Sequence, residues 1–246
     1  MSNIITEIVR RSEQGVTRPF LCRSADGAGW FVKGLVGAGA EALRAEWIGG
    51  TLAKALRLPI PQFAVVDVDE ALVEVSAVDD AHELGRRYAF GSRAVAGAEE
   101  ITYTQAVALP LEWKARVLLF DWWICHEDRI LSPLGGNPNL LTTGRDPVEP
   151  WLIDHHSAFD REFDAARFWK NHIFADSRAV WTNAWRKRET RRLKKAATRL
   201  NAAWEALPEV WLPGDEIENT SVLERNRLAE ILLRPVAAPA AFWNIP

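Results

Sequence analysis

Residues that can bind a metal ion or move a proton are concentrated in one part of the sequence, residues 120–159. In chain order they are His126, Asp128, Asn137, Asn139, Asp154, His155 and His156. A Gly-rich segment and two short apolar runs, at 140–141 and 151–153, lie between them. A rigid core can aim polar side chains at a cleft when they follow apolar runs. The stretch is therefore predicted to be a catalytic and metal-binding centre.

Two carboxylates and an amide in this stretch match the needs of phosphoryl transfer, which depends on positioning and charge neutralisation. One carboxylate must orient the acceptor hydroxyl and accept its proton, and Asp128 is the candidate. A second carboxylate and an amide oxygen must hold Mg²⁺, which prefers oxygen ligands. Asp154 and either Asn137 or Asn139 are the candidates for this metal site. Residues 126–128, His-Glu-Asp, are also similar to the His-Arg-Asp of kinase catalytic loops.

A lysine and a glutamate far upstream complete the predicted site. Lys33 ends an aromatic strand, and Glu46 lies beside Trp47 in an apolar helical stripe. An unpaired buried carboxylate is costly, so Glu46 needs a partner, and Lys33 is a natural one. A strand lysine clamped by a helix glutamate is how kinases hold the α- and β-phosphates of ATP. Glu41 is a competing partner, but it precedes the stripe and is expected to be exposed.

The turn between the first two predicted strands offers a second contact for phosphate. Gly15, Val16 and Thr17 are candidates for nucleotide binding, because small residues in a turn let backbone N–H groups approach an anion. One glycine is a weak signal, and this segment taken alone favours an ordinary hairpin loop.

The elements that must position these residues divide into a strand-rich first part and a helical second part. Short β-rich runs bounded by Gly and Asp predict a small antiparallel sheet with one helix, and the helical second part follows it. The predicted strands are at 4–9, 20–23, 30–34, 63–68 and 71–75, and the helix is at 42–58. Residues 76–92 lack a clear period and are predicted to connect two domains, 1–92 and 93–246, with a hinge at 90–92. Helices are predicted at 111–125, 186–204 and 221–233, and an irregular tail at 235–246.

Composition limits the function classes. Of the 246 residues 48% are hydrophobic and 26% charged, and the net charge is −3, so no global field attracts nucleic acid or membrane. No apolar run has the length of a membrane span, and the two cysteines are far apart without a secretory leader. We therefore expect a cytoplasmic protein without disulfides. The 12 tryptophans suggest aromatic plugs in the core or around a ring-binding pocket.

The segment 186–195 has seven basic residues in ten. It is either a docking face for an anionic partner or a solvated helix face balanced by acidic segments elsewhere. The solvated face is favoured, so nucleic acid is not expected as a partner.

The sequence resembles the HipA-like kinases of the protein-kinase-like superfamily. The matching segments are FVKG, AEWIGGTLAKALRLPIP, DRILSPLGGNPNLL and LIDHHSAF, which cover most of residues 4–160. The resemblance implies an α+β, two-lobed fold with a small antiparallel-sheet N-lobe and a mainly helical C-lobe. It also implies ATP and Mg²⁺ as cofactors. The acceptor would be a protein serine or threonine, or another hydroxyl on an unknown protein or small molecule.

The resemblance implies that Lys33 contacts phosphates and that Glu46 pairs with Lys33. It also implies that Asp128 accepts the proton and that Asp154 binds the metal ion with Asn137 or Asn139. The sequence departs from the pattern in three places. The asparagines follow Asp128 by nine and eleven residues where kinases have five. Histidines replace the glycine after the metal aspartate, and no full glycine-rich motif surrounds residue 15. Asn139 is slightly preferred as the metal ligand because a strand follows it.

Four alternatives stay open. A zinc site built from Cys125 and histidines 126, 155 and 156 matches no standard spacing. A serine hydrolase lacks a nucleophile-elbow motif. A kinase fold that binds nucleotide or a partner without turnover, and a transferase of AMP on the same fold, both agree with the residues quoted above.

Overall fold

The N-terminal part of the protein is a closed five-stranded barrel. The computed structural model describes residues 3–13, 18–144, 148–214 and 219–244. The strands are β1 Ile4–Arg11, β2 Phe20–Ser24, β3 Gly29–Lys33, β4 Phe63–Val68 and β5 Arg87–Arg93, in the order β1-β2-β3-β5-β4. Alternate side chains point inward, as period-2 strands require, and Ile5, Phe20, Trp30 and Val66 fill the interior. The prediction of a sheet-rich first part is confirmed.

Three details of the predicted sheet are wrong. Residues 71–75 do not form a strand: residues 71–74 belong to helix α2, Glu70–Glu74. The Asp69 carboxylate caps its first turn by accepting the backbone N–H of Ala71. The fifth strand is β5, so the proposed hinge at 90–92 lies inside it. The sheet is not wholly antiparallel, because β4 pairs with β1 in parallel and closes the barrel.

The long helix α1, Leu35–Ala55, links the barrel to the rest of the molecule. It begins earlier than predicted and is interrupted at Gly39, which has a φ of 80°. Its apolar face packs into the main hydrophobic core together with helices from the second half of the chain. The Trp47 indole donates to the Ala203 carbonyl at 3.0 Å, and the Arg44 guanidinium donates to the Trp211 carbonyl. The position of α1 is therefore set from the C-terminal side.

The second half of the chain is mainly helical. Its helices are α3 Tyr103–Ala108, α4 Leu111–Trp123, α5 Ala165–Asn171, α6 Asn183–Ala197, α7 Leu200–Glu205, α8 Thr220–Ala237 and α9 Pro239–Trp243. Its strands are β6 Glu99–Glu100, β7 Ile130–Ser132, β8 Gly135–Asn137, β9 Leu140–Thr142 and β10 Pro150–Leu152. Strands β10, β9 and β6 form a small antiparallel sheet, and β7 and β8 form a hairpin. Short 3-10 turns lie at Ala81–Leu84, Ala175–Val180 and Glu209–Trp211.

The end of the described chain is ordered, which corrects the prediction of an irregular tail at 235–246. Helix α8 continues through Pro235, and α9 follows it with Phe242 and Trp243 buried. The Trp122 indole donates to the Phe242 carbonyl at 3.1 Å, and the ring of Trp243 packs edge-on against Trp181. The sequence signal was weak because the segment contains three prolines, yet its aromatic rings complete the core of the helical half.

The basic segment of α6 is divided between the core and solvent. Arg186, Arg188 and Arg192 are engaged with backbone carbonyls or with the carboxylates of Glu112 and Glu189. Lys187, Arg188, Arg191, Lys194 and Lys195 are exposed. A docking face for an anionic partner at residues 186–195 stays a prediction. Among the described helices, none is both long and apolar enough to cross a membrane.

We predict that Phe242→Ala strongly destabilises the protein. The ring is 3% exposed and packs against Trp122 and Trp243, so its removal leaves a cavity that should lower the free energy of unfolding by about 3–5 kcal/mol. Urea denaturation measures the loss. The matched control is Val236→Ala, whose side chain is 42% exposed and should cost less than about 0.5 kcal/mol. Equal losses in the two variants would contradict the buried placement of α9.

Candidate active site

A cavity of about 430 Å³ is lined by residues of the barrel and of strands β9 and β10. Its apolar wall contains Phe31, Ile60, Phe63, Phe90, Leu141 and Leu152. Its polar wall contains Lys33, Glu46, Asn137, Asn139 and Asp154. All 12 tryptophans are described and none lines the cavity: eight are buried, Trp47, Trp113 and Trp169 pack against the core, and Trp151 is partly buried. The apolar wall has room and aromatic surface for a flat ring, next to charged groups.

The Lys33 ammonium is the centre of the polar wall. It donates to Oε1 of Glu46 at 2.5 Å and to Oδ1 of Asp154 at 2.6 Å. The backbone N–H of His155 donates to the other oxygen of Glu46 at 2.9 Å. The expected contact between Lys33 and Glu46 is therefore present, and Glu41 is exposed. The structure adds Asp154 as a second partner of the lysine.

Burial and charge act in opposite directions on these groups. Burial alone would lower the pKa of Lys33, but the carboxylates of Glu46 and Asp154 outweigh it and raise this pKa. Burial alone would raise the pKa of Asp154, but the Lys33 ammonium and a hydrogen bond from His156 hold it well below its usual range. Burial is also the largest influence on Glu46, and it raises the pKa of that carboxyl. Lys33 and Asp154 therefore form a charged pair at the cavity wall.

Two consecutive glycines let α1 approach the site closely enough for this contact. A Cβ on Gly49 would lie 2.8 Å from the Cβ of His155, and one on Gly50 would lie 3.0 Å from the ring of Phe63. Both distances are shorter than van der Waals contact, so a larger residue would push the helix away. The Gly49-Gly50 pair thus allows α1 to lie close to Phe63 and to His155, whose backbone N–H binds Glu46.

Asp128 and the two asparagines lie together despite their separation in sequence. The side-chain amides of Asn137 and Asn139 both donate to Oδ2 of Asp128, at 2.9 Å and 3.1 Å. The hairpin formed by β7 and β8 absorbs the additional residues, and Asn137 ends its second strand opposite Ile130. Gly136 is required at the crossing, because a Cβ there would lie 2.4 Å from the carbonyl oxygen of Ile130. Asn137 and Asn139 thus contact Asp128 although they follow it by nine and eleven residues.

The donor set fits a hard cation such as Mg²⁺. The amide nitrogens of Asn137 and Asn139 face Asp128, and no hydrogen bond from a described residue reaches their Oδ1 atoms. Oδ2 of Asp154 is likewise without a partner among the described residues. All three residues line the same cavity, and their oxygens are of the kind that Mg²⁺ prefers. The structure does not distinguish Asn137 from Asn139 as the metal ligand.

A buried network around Asp121 supports the site and was missed in the sequence. The Asp121 carboxylate accepts from the Arg129 guanidinium at 2.7 Å and is bonded to the rings of His126 and His172 at 3.2 Å and 3.0 Å. Arg129 also donates to the carbonyls of Pro138 and Asn139. Burial alone would raise the pKa of Asp121, but Arg129 and the two histidines hold it well below its usual range. An aspartate inside the apolar helix 111–125 was the available signal.

The histidines and Cys125 do not come together as a zinc site. His126 is occupied by Asp121 and by the carbonyl of Asp154, and His155 is buried against Phe120, where burial lowers its pKa to about 3. Cys125 is buried, and burial raises the pKa of its thiol. The cluster with metal-ligand spacing in the described residues consists of Glu46, Asp154 and His156, and it contains one member of the proposed zinc set.

The candidate phosphate loop, Gly15, Val16 and Thr17, lies outside the described residues. Its neighbours Ser12, Glu13 and Pro19 line the cavity, and the backbone N–H of Ser12 donates to the Pro19 carbonyl at 2.8 Å at the base of the loop. The assignment of the loop to nucleotide binding stays a prediction.

Comparison with known proteins bears on the fold and the family. The family model described as HipA-like kinase matches residues 5–246, which extends the resemblance well beyond residue 160. Among solved structures, the Helicobacter pylori proinflammatory kinase CtkA is similar over 95% of this chain and 93% of that chain, with a TM-score of 0.55. The two sequences are 9% identical, so this likeness concerns the fold alone. No curated protein matches the sequence.

We predict that Asp121→Asn lowers the free energy of unfolding by about 3–5 kcal/mol, because it leaves the Arg129 cation buried without a counter-charge. Chemical denaturation measures the loss. The matched control lies on the same helix: Glu112→Gln breaks a contact with Arg188 in which both side chains are about half exposed, and should cost at most about 1 kcal/mol. Similar losses in both variants would show that the buried network does not stabilise the fold.

The stability difference between wild type and Asp121→Asn should also depend on pH. Because folding lowers the pKa of Asp121, its contribution is fully present above the unfolded value of about 3.9 and is lost as the pH falls through the lower folded value. The difference should stay constant from about pH 7 to about pH 5 and shrink below about pH 4. Denaturation at a series of pH values measures it. A loss of the difference above about pH 5 would contradict an ionised Asp121.

Proposed function

The chain belongs to the HipA-like kinase family, and we propose that it transfers the γ-phosphoryl group of ATP, with Mg²⁺, to a hydroxyl acceptor. The observation that carries the proposal is the Lys33 ammonium held between Glu46 and Asp154. This group lies at the wall of a cavity that also contains Asn137 and Asn139. A kinase-type phosphotransferase needs these charges within reach of one bound nucleotide.

We also propose a two-lobed organisation in which residues 1–92 form the N-lobe and 93–246 the C-lobe. The barrel and the helical half support it, since both contribute walls to the cavity. Strand β5 is the last element of the barrel, and the next residues, Val95, Ala98 and Glu99, line the cavity as the chain passes into the helical half. A nucleotide in this cavity would therefore contact both halves.

Lys33 would bind phosphate oxygens of the nucleotide, and Glu46 would hold the ammonium in place. Lys33 ends β3 and follows Phe31 by two residues, so the two side chains lie on the same side of the strand and both line the cavity. The nucleobase would lie against Phe31, Phe63 and Phe90. This arrangement separates the ring and the phosphates of one ligand along the cavity.

Asp154 with Asn137 or Asn139 would hold Mg²⁺ through the oxygens that no described residue engages. The metal ion would neutralise charge on the transferring phosphoryl group. Asp128 would orient the acceptor hydroxyl and take its proton. The two asparagine amides occupy Oδ2 of Asp128, which leaves Oδ1 as the accepting atom. The asparagines would then have a second role, because their amides would fix the orientation of the Asp128 carboxylate.

The acceptor class and the reaction type can be tested together. The protein is incubated with a host-cell lysate and ATP carrying a radioactive label on either the γ- or the α-phosphate. A product labelled only from the γ-position supports phosphoryl transfer to a protein, and small-molecule products are sought in the same reactions. A product labelled from the α-position indicates AMP transfer. An ATP-dependent rise in melting temperature without any labelled product indicates a nucleotide-binding module.

We predict that Asp154→Asn abolishes Mg²⁺-dependent turnover of ATP while the protein stays folded. An amide cannot supply the negative oxygen for the cation, and asparagine tolerates the left-handed backbone of this position, where φ is 58°. Turnover is measured by release or transfer of the labelled γ-phosphate, and folding by the melting temperature. The control Glu162→Gln, an exposed acid a few residues downstream, should keep wild-type turnover. Wild-type turnover in Asp154→Asn would refute the assignment of Asp154.

A further inference from the structure

The two carboxylate oxygens of Asp154 have different surroundings. Oδ1 accepts from the Lys33 ammonium at 2.6 Å and is also bonded to Nδ1 of His156. Oδ2 has no hydrogen-bond partner among the described residues, although the side chain lines the cavity. One oxygen is therefore saturated by protein groups and the other is available to a ligand.

The backbone around Asp154 makes this asymmetry possible. Asp154 has a positive φ of 58°, and its carbonyl lies 3.1 Å from Nε2 of His126. The backbone N–H of the next residue, His155, is fixed by Glu46. With both sides of the turn held, the ring of His156 reaches the carboxylate two residues before it. A left-handed aspartate is strained and persists only where its surroundings enforce it.

We propose that His156 is a positioning residue that, together with Lys33, fixes the rotation of the Asp154 carboxylate so that Oδ2 alone is presented to the metal ion. A carboxylate bound through one oxygen loses orientational freedom when a ring N–H and an ammonium hold the other oxygen. The glycine usual after the metal aspartate in kinases has no side chain for this task. The proposal rests on the proposed function, because it concerns the same metal site.

The geometry also allows a rival role for His156. Its ring, Asp154 and Glu46 have ligand atoms within 4.8 Å of one another, so the imidazole could itself bind the ion. Two features favour positioning. Nδ1 is already bonded to Asp154, and Glu46 is neutralised by Lys33. The two roles differ in metal preference, since an imidazole ligand favours Mn²⁺ over Mg²⁺ far more than an all-oxygen set does.

The test measures metal binding directly. The full chain is saturated with a non-hydrolysable ATP analogue, and Mg²⁺ or Mn²⁺ is titrated by isothermal calorimetry into the wild type, His156→Ala, His156→Asn and the control His82→Ala. Asparagine places an amide N–H near the position of Nδ1, whereas His82 is an exposed histidine in the barrel half. The affinity for the analogue in EDTA is measured for each variant to report on the rest of the pocket.

We expect His156→Ala to lower the affinity for Mg²⁺ and for Mn²⁺ by the same factor, about ten- to a hundredfold. Its affinity for the ATP analogue in EDTA should be unchanged. His156→Asn should restore most of the affinity, and His82→Ala should match the wild type. Unchanged metal affinity in His156→Ala, or an asparagine variant as weak as alanine, overturns the proposal. If the affinity for Mn²⁺ falls much more than the affinity for Mg²⁺, the proposal is overturned in favour of direct ligation by His156. If the affinity for the ATP analogue in EDTA falls, it is overturned in favour of a general structural role. A wild type that binds no metal refutes the proposed function itself.

Discussion

The burial of the Lys33 ammonium is the constraint on which the site depends. The side chain is 8% exposed, and a cation removed from water costs several kcal/mol unless counter-charges surround it. Its two counter-charges come from 13 and 121 residues along the chain, on a helix and on a loop. The barrel, α1 and the segment after β10 must therefore all be in place for the charge to be tolerated. All three elements also contribute residues to the walls of the cavity.

A second buried charge organises residues 120–159. Asp121 on α4 binds Arg129, and Arg129 donates to the carbonyls of Pro138 and Asn139. The hairpin can thus extend into solvent, with Leu134 almost fully exposed at its tip, while its ends stay fixed. Positions of catalytic groups are usually more precise when regular elements support them. Here a polar network replaces regular structure in the loops that hold Asp128 and Asn139.

The parts of the protein that could be predicted are those whose sequence signals lie within a short segment of the chain. The apolar stripe of α1 and the aromatic strand ending in Lys33 identified a helix–strand pair, and the need to neutralise Glu46 identified the contact between them. Strand β5 was missed because Gly91 and two arginines give it little intrinsic β-propensity, and it forms because β3 and β4 pair with both of its edges. The Asp121 network was missed because its members are joined only by the fold. The roles of the site residues stay predictions.

The packing of α1 against the helical half has a consequence for biosynthesis. A ribosome releases the chain from its N-terminus, so the barrel and α1 emerge well before Ala203 and Trp211, whose carbonyls receive the hydrogen bonds of Trp47 and Arg44. Until those residues arrive, the face of α1 that packs against them has no cover, although the barrel already contacts the helix. The barrel and α1 should consequently reach their full stability only after the helical half has been synthesised.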